Sequence, residues 1–451
     1  METSPEYPDD PRMRGFQTRA TIQDVLLAYD EHARPLEIET ISIHKAWGRV
    51  LGHDVVATRD LPGFDRAAMD GYALRGEETF GSDPDNPARF HVIGRSRPGR
   101  ACDLVIEPGQ AVEIATGSPM PRGGDVVVKV ESTRLVGNYV EVFEPTAPGR
   151  HVGRAGEDVR IGTTVLDALR LLRPQDLGLL SALGIAQVEV YRQPRVTILV
   201  TGEEILPAGS VPEGTRIADA NSPMLVALVT RDGGIAHVIG PLADDRHLLK
   251  SAIADAAHTS DLVIISAGSS TGPEDHAPSL VAELGKLVVH GLAIRPASPS
   301  GIGFIDGVPI LLMPGNPVSC LCAYDMFSSE IMRMQGGITG GWPYHGIDVP
   351  LGRKIVSPIG RTDYVRVLTQ FGDDRLVAEP IATSGASILS STTRADGFIL
   401  VPADCEGYAT DTLVRVWLYD RPYDVPRRSA LTGSLTSQPW TRTSATIRAP
   451  S

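Results

Sequence analysis

Three apolar runs between residues 195 and 315 constrain the fold more than anything else in the chain. RVTILVTG (195–202), DLVIISAG (261–268) and PILLMPG (309–315) are almost unbroken in hydrophobic residues, and each closes on glycine. They lack the in–out alternation of a half-exposed strand. They fit strands covered on both faces, as in a parallel sheet between helices. Helical patterns fall where that layout needs them. SPMLVALVTRDGG (222–234) has Ser222 as its expected N-cap, Pro223 at its start and glycines at its end. A second helix is expected from about 244 to 258, and a third starts near Pro317. AHVIG, KLVVHG and GIGFI add strands. The alternation predicts an α/β domain with a mostly parallel sheet.

The flanks read differently. Thr21 and Asp24 form a capping-box pattern, followed by a stripe of Ile22, Val25, Leu26 and Tyr29, with Pro35 as the stop. From 49 to 152, short runs such as FHVIG, QAVEIATG, DVVVKVE and YVEVFE alternate with Gly- and Pro-bearing turns, which predicts a small all-β unit. A helix is expected from Pro174 to Gly184. Residues 345–424 turn β-rich again, as a barrel or sandwich, and the Ser/Thr/Arg/Pro-rich tail from Pro426 is expected to be disordered. No internal repeat is visible.

A net charge of −13 argues against nucleic acid or an anionic membrane surface as a partner. Cys102, Cys320, Cys322 and Cys405 form no C-x-x-C pair and are expected to be reduced thiols. Residues 1–20 are polar, and no apolar run approaches the ~18 residues that span a bilayer, so a cytoplasmic protein is expected.

Three loops of the α/β region carry chemistry. VTGEE (200–204) places two carboxylates just past a buried strand, at the sheet edge where ligands bind in open α/β folds. SAGSSTGPED (266–275) offers glycines and small hydroxyls that bring backbone N–H groups close to a phosphate, with Asp275 able to hold Mg²⁺. MPGNPVS (313–319) follows a strand and opens a helix, so its amides and Ser319 suit an anion. Any one such loop is usually an ordinary βα turn. Three in one domain point to a phosphate-plus-Mg²⁺ site. In the β-rich region, LPGFDRAAMDGYA (61–73) reads as neither strand nor helix surface and carries Asp65 and Asp70; RAGED (154–158) adds Arg154, Glu157 and Asp158.

Together these segments resemble the molybdopterin molybdenumtransferases, the MoeA family that includes the E domain of gephyrin. The matches run in order from about 19 to 420. PGFDRAAMDGYA is similar to the family's PGFD-x-SAMDGYA, ATGSPMP to TGAP-x-P, and GRAGED to R-x-GED. VTGEE is similar to TGDE, ADAN (218–221) to D-x-N, SAGSSTGPED to SGG-x-S-x-G-x-x-D, and LLMPGNPVS to LPGNPVS. The resemblance implies an elongated four-domain subunit: a discontinuous linker domain (19–54 and 153–190), an inserted β domain (55–152), a parallel α/β three-layer domain like that of the adenylyltransferase (191–342) and a C-terminal β barrel (343–424). Residues 1–18 and 425–451 would be flexible tails. It further implies a homodimer with a cleft shared between subunits, possible contact with the molybdopterin adenylyltransferase, and transfer of molybdenum from molybdate to adenylylated molybdopterin with release of AMP.

By that resemblance Asp275, Glu204 and Asp219 belong to Mg²⁺ and the nucleotide. Gly268, Ser270, Gly272, Gly315, Asn316, Pro317 and Ser319 cradle phosphate, with Arg295 and Ser298 toward the oxyanion. Asp65, Asp70, Thr116, Glu157 and Asp158 line the pterin side. Asp275, Glu204, Asp65 and Asp158 are the expected catalytic set. The chain departs from the pattern at the basic K-P-G-K-P stretch, here RPASP (295–299), where Ser298 replaces the second lysine. Arg295 keeps one cation, but a guanidinium fork is not equivalent to an ammonium toward an oxyanion. Two other functions stay open at this point: the adenylyl-transfer step itself, and a non-catalytic scaffold or sensor.

Overall fold

A computed structural model describes residues 18–32, 36–267, 276–339, 342–372, 375–382 and 388–419. The chain divides into two compact units, one of residues 38–191 and one of residues 1–37 with 192–451. The expected linker pieces therefore contribute to both units.

In the 38–191 unit the two ends pair. Ile38–Ser42 runs antiparallel to Gln187–Tyr191. Beneath them Ile43, Leu51, Leu166, Leu172, Leu180 and Val188 form a small core with the helix Pro174–Ala182. That helix stops where Gly184 takes φ +74°, a conformation that costs glycine little. The segment between the ends forms a six-stranded sheet in the order 126–129, 71–74, 110–114, 88–96, 139–142, 133–136. It is antiparallel except where 88–96 meets 110–114. Here the reading of 61–73 needs correction. Arg66–Ala67 and Gly71–Leu74 are strands, and every residue of the second is buried. A strand covered on both faces shows no alternation, so no period-2 signal marked it. Gly71 is obligatory for a packing reason: a Cβ there would overlap the Val128 carbonyl oxygen of the neighbouring strand.

The second unit holds the expected α/β sheet, ordered 235–242, 195–201, 262–267, 308–314, 301–305, 286–290. The first four strands are parallel; 301–305 runs antiparallel to 308–314, and 286–290 runs antiparallel to 301–305. Side chains alternate between two cores. Val196, Ile198, Val200 and Ile264 pack toward Leu225, Val229, Phe327 and Ile331. Leu199, Val263 and Ile265 pack toward Leu249, Ile253, Leu280 and Val281. The three-layer arrangement follows, with each fully buried Leu or Ile contributing roughly 1.5–3 kcal/mol.

The helix Ile22–His32 lies on the first of these faces through Val25 and Tyr29. Its capping box forms as expected: Thr21 N donates to Asp24 Oδ2 at 2.7 Å, and Asp24 N to Thr21 Oγ1 at 3.2 Å. The helix ends at His32, and the expected stop Pro35 lies outside the described residues.

Ser222 is not an N-cap. The helix spans Asn221–Arg231, and Asp219 Oδ1 accepts from the amides of Asn221 (2.9 Å) and Ser222 (3.0 Å). The helix thus starts before Ser222, with its first amides satisfied by an aspartate upstream of the cap, which leaves the serine inside the first turn.

The C-terminal segment supplies five strands of a six-stranded sheet around Leu351, Ile355, Val365, Val367, Ile399 and Val416. The short strand Ile294–Arg295, from the α/β part of the chain, pairs in parallel with Thr362 and Asp363 of this sheet. The expected tails lie outside the described residues apart from Thr18.

Candidate active site

Register brings the tips of three central strands level. Val200 lies beside Ser266, Ser266 beside Met313, and residue 267 beside Pro314. Glu203 and Glu204 continue from the first tip, and Gly315 and Asn316 from the third. Gly202 is extended to φ +137°, and a Cβ there would sit 2.8 Å from Glu204 Oε2. The glycine thus lets the Glu204 carboxylate fold back over the strand end. Gly268, Ser270, Gly272 and Asp275 lie outside the described residues.

Asn221, the last residue of ADAN, ties this edge together. Its Nδ2 donates to Ser266 Oγ at 2.9 Å and to the Gly315 carbonyl at 2.8 Å. Its Oδ1 is buried without a hydrogen-bond partner. Beside it Asp219 is buried, with one oxygen committed to the helix start. Replacing Asn221 by alanine removes two hydrogen bonds and leaves the half-buried Gly315 carbonyl without this donor. We expect it to cost about 2 kcal/mol in the denaturant midpoint of the second unit, and an unchanged midpoint would refute the bridging role.

The RPASP loop is held from two sides. Arg295 forms an ion pair with buried Asp363, which also accepts from Ser357 Oγ at 2.8 Å. Ser319, buried at the start of the helix Pro317–Ala323, donates to the Pro296 carbonyl at 3.0 Å. Ser298 donates to the Leu292 carbonyl at 2.9 Å and accepts from Arg19 Nε at 3.1 Å. Three side chains expected to face an anion thus also fasten the loop.

The strand that pairs with Ile294–Arg295 carries a residue that sequence reasoning missed. Arg366 is 2% exposed, and its Nε has no hydrogen-bond partner. Burial lowers its guanidinium pKa, and among the described residues its electrostatic neighbours are Tyr419, Tyr364 and Cys322 rather than a carboxylate. A buried cation without a counter-charge is costly unless something anionic visits it. The available signal was an arginine inside the apolar strand YVRV, flanked by the core residues Val365 and Val367.

In the other unit, two loop pairs are stitched by carboxylates. Asp65 Oδ1 accepts from the Ala155 amide at 2.9 Å, and Oδ2 from Arg154 Nη1 at 2.6 Å. The backbone hydrogen bond, with the Arg154 cation, holds the Asp65 carboxyl below its ordinary range against a smaller effect of burial. Asp70 Oδ1 accepts from Thr116 N (2.7 Å) and Thr116 Oγ1 (2.9 Å), which lowers its pKa as well. Glu157 accepts from the Arg154 amide at 2.9 Å, and the Asp158 amide donates to the Leu61 carbonyl at 3.1 Å. PGFD is therefore bound to RAGED, and AMDG to ATGSP.

Comparison with known proteins decides what these loops belong to. The chain matches the family models "MoeA N-terminal region (domain I and II)" over residues 20–184, "Probable molybdopterin binding domain" over 197–333 and "MoeA C-terminal region (domain IV)" over 348–419. It is 36% identical to molybdopterin molybdenumtransferase 2 of Mycobacterium tuberculosis, over 84% of this chain and 94% of that protein. The chain belongs to the molybdopterin molybdenumtransferase (MoeA) family. A molybdopterin molybdenumtransferase of Bacillus subtilis is 28% identical over 85% of this chain and 90% of its own length. A crystal structure of a molybdopterin biosynthesis MoeA protein from Pyrococcus horikoshii superposes with a TM-score of 0.77 at 31% identity, covering 90% of this chain and all of that one.

The MoeA assignment makes a Mg²⁺ site a question of donors. Among the described residues no three His, Cys, Asp or Glu side chains gather as a metal cluster. Mg²⁺ asks for less, since it keeps several waters and takes one or two carboxylates. Glu204 and Asp219 are hard oxygen donors that fit it in kind, and Asp219 is hydrogen-bonded to Asn221, whose Oδ1 is orphaned.

Proposed function

We propose that this MoeA-family chain transfers molybdenum from molybdate to the dithiolene sulfurs of adenylylated molybdopterin, with cleavage of the phosphoanhydride and release of AMP. The observation that carries the reading is Arg366, a desolvated guanidinium with no carboxylate neighbour among the described residues, in a chain of net charge −13. It is suited to a tetrahedral dianion that enters the site and leaves again. Gly315, Asn316, Pro317 and Ser319, with Gly268, Ser270 and Gly272, would hold the phosphates. Asp275, Glu204 and Asp219 would hold Mg²⁺, which when bound neutralises diphosphate charge. Asp65, Asp70, Thr116 and Asp158 would meet the pterin, in a homodimer whose partner subunit completes the cleft.

The test is AMP release from adenylylated molybdopterin by the purified chain, with Mg²⁺ and with or without molybdate. Release that saturates with molybdate is expected, and chelation of Mg²⁺ should suppress it. No release above the enzyme-free rate would overturn the reading. Consumption of ATP with unmodified molybdopterin would replace it by adenylyl transfer.

A further inference from the structure

A cation reaches the RPASP loop from the far end of the chain. Ala20 forms a parallel bridge with Leu292; its amide donates to the Gly291 carbonyl at 3.0 Å, and its carbonyl accepts from the Ala293 amide at 2.8 Å. One residue later the Thr21–Asp24 capping box starts a helix. The backbone beside Arg19 is thus fixed on its C-terminal side, and its side chain is delivered to one place: Nε donates to Ser298 Oγ at 3.1 Å. That bond uses one of five N–H donors of the guanidinium. Among the described residues no carboxylate pairs with Arg19, whereas Arg295 on the same loop is neutralised by Asp363. Ser298 Oγ donates to Leu292 O, so the hydroxyl orients Arg19 as an acceptor.

We propose that Arg19 is an oxyanion-binding residue of this site, supplying from the N-terminal segment the outer cation of the RPASP loop. The inference rests on the molybdenum-transfer reading for its substrate. The ligand chemistry is a tetrahedral oxyanion, either free molybdate or a phosphate of the adenylylated pterin. Arg19 is exposed and meets it from the solvent side. The carboxylate-free ends of Arg19 offer the planar fork that such an anion accepts.

The experiment compares wild type, Arg19→Ala and the double variant Arg19→Ala/Ser298→Lys, using the full chain. Two quantities are read: the KM for molybdate and for adenylylated molybdopterin in AMP release, and calorimetric binding of molybdate alone. Arg19→Ala is expected to raise one KM about tenfold with little change in kcat. A rise in the molybdate KM, with weaker binding of molybdate alone, assigns the anion as molybdate. A rise confined to the pterin substrate assigns it as phosphate. The added lysine should recover most of the loss, because an ammonium at 298 replaces the charge without rebuilding the contact to the N-terminal segment. Unchanged KM values overturn the inference, as does a loss that lysine fails to recover alongside a lowered unfolding midpoint, since Arg19 would then only anchor the segment. If wild type binds molybdate through Arg19 yet releases no AMP, the functional reading falls and the anion contact stands.

Discussion

Arg366→Leu should cut molybdate-dependent AMP release by roughly 10²–10³-fold while leaving the fold as stable as wild type or more so. The two halves of that expectation have one cause. Arg366 is nearly inaccessible, its Nε is unpartnered, and among the described residues no carboxylate repays its desolvation. Leucine removes a buried charge and keeps apolar volume between the Tyr364 and Cys322 side of the strand and the core. If the cation exists to meet a dianion, turnover falls because transition-state charge loses its donor. Thermal unfolding and initial rates on the same preparation check both. A variant that unfolds early yet, while folded, turns over normally would show that the arginine serves packing.

Asp325→Asn is expected to abolish a pH dependence of stability worth roughly 3 kcal/mol. Asp325 is fully buried on a π-helical turn, Tyr324–Ser328, between the helices Pro317–Ala323 and Ser329–Gln335. It accepts from Tyr344 Oη at 2.6 Å and Tyr364 Oη at 2.9 Å, and Arg231 stands 3.9 Å away. Burial pushes its pKa up to about 6, against the opposing pull of those hydroxyls and of Arg231. The folded state therefore holds this proton more tightly than the unfolded chain. The stabilisation is full below the unfolded value near 3.8 and is lost as pH rises through about 6. Asparagine mimics the protonated acid, so denaturant midpoints of the variant should be flat from pH 4 to 7 at this site, while the wild type declines. A variant retaining the wild-type slope would place the titration elsewhere.

Much of the architecture was legible because it is local. Unbroken apolar runs ending on glycine marked the central strands. The Thr21–Asp24 box marked a helix start, and Pro174 with Gly184 bracketed another. The AMDGYA and PGNPVS blocks carried the family. Local rules failed where a neighbour in space outranked a neighbour in sequence. Gly71–Leu74 lost its strand signal to burial on both faces, and Ser222 lost its capping role to Asp219.

The sequence by itself determined the order of elements, the glycine-closed strand ends and the family, since periodicity, capping and turn chemistry depend on residues a few positions apart. Only the tertiary structure decided that Asn221 joins Ser266 to Gly315, that Arg19 meets Ser298 across 279 positions, and that Arg366 is buried with no acidic partner among the described residues. Those facts depend on strand register and on which faces are covered. Hydrogen bonding and desolvation are set by what surrounds a group in three dimensions, and composition along the chain does not encode that locally.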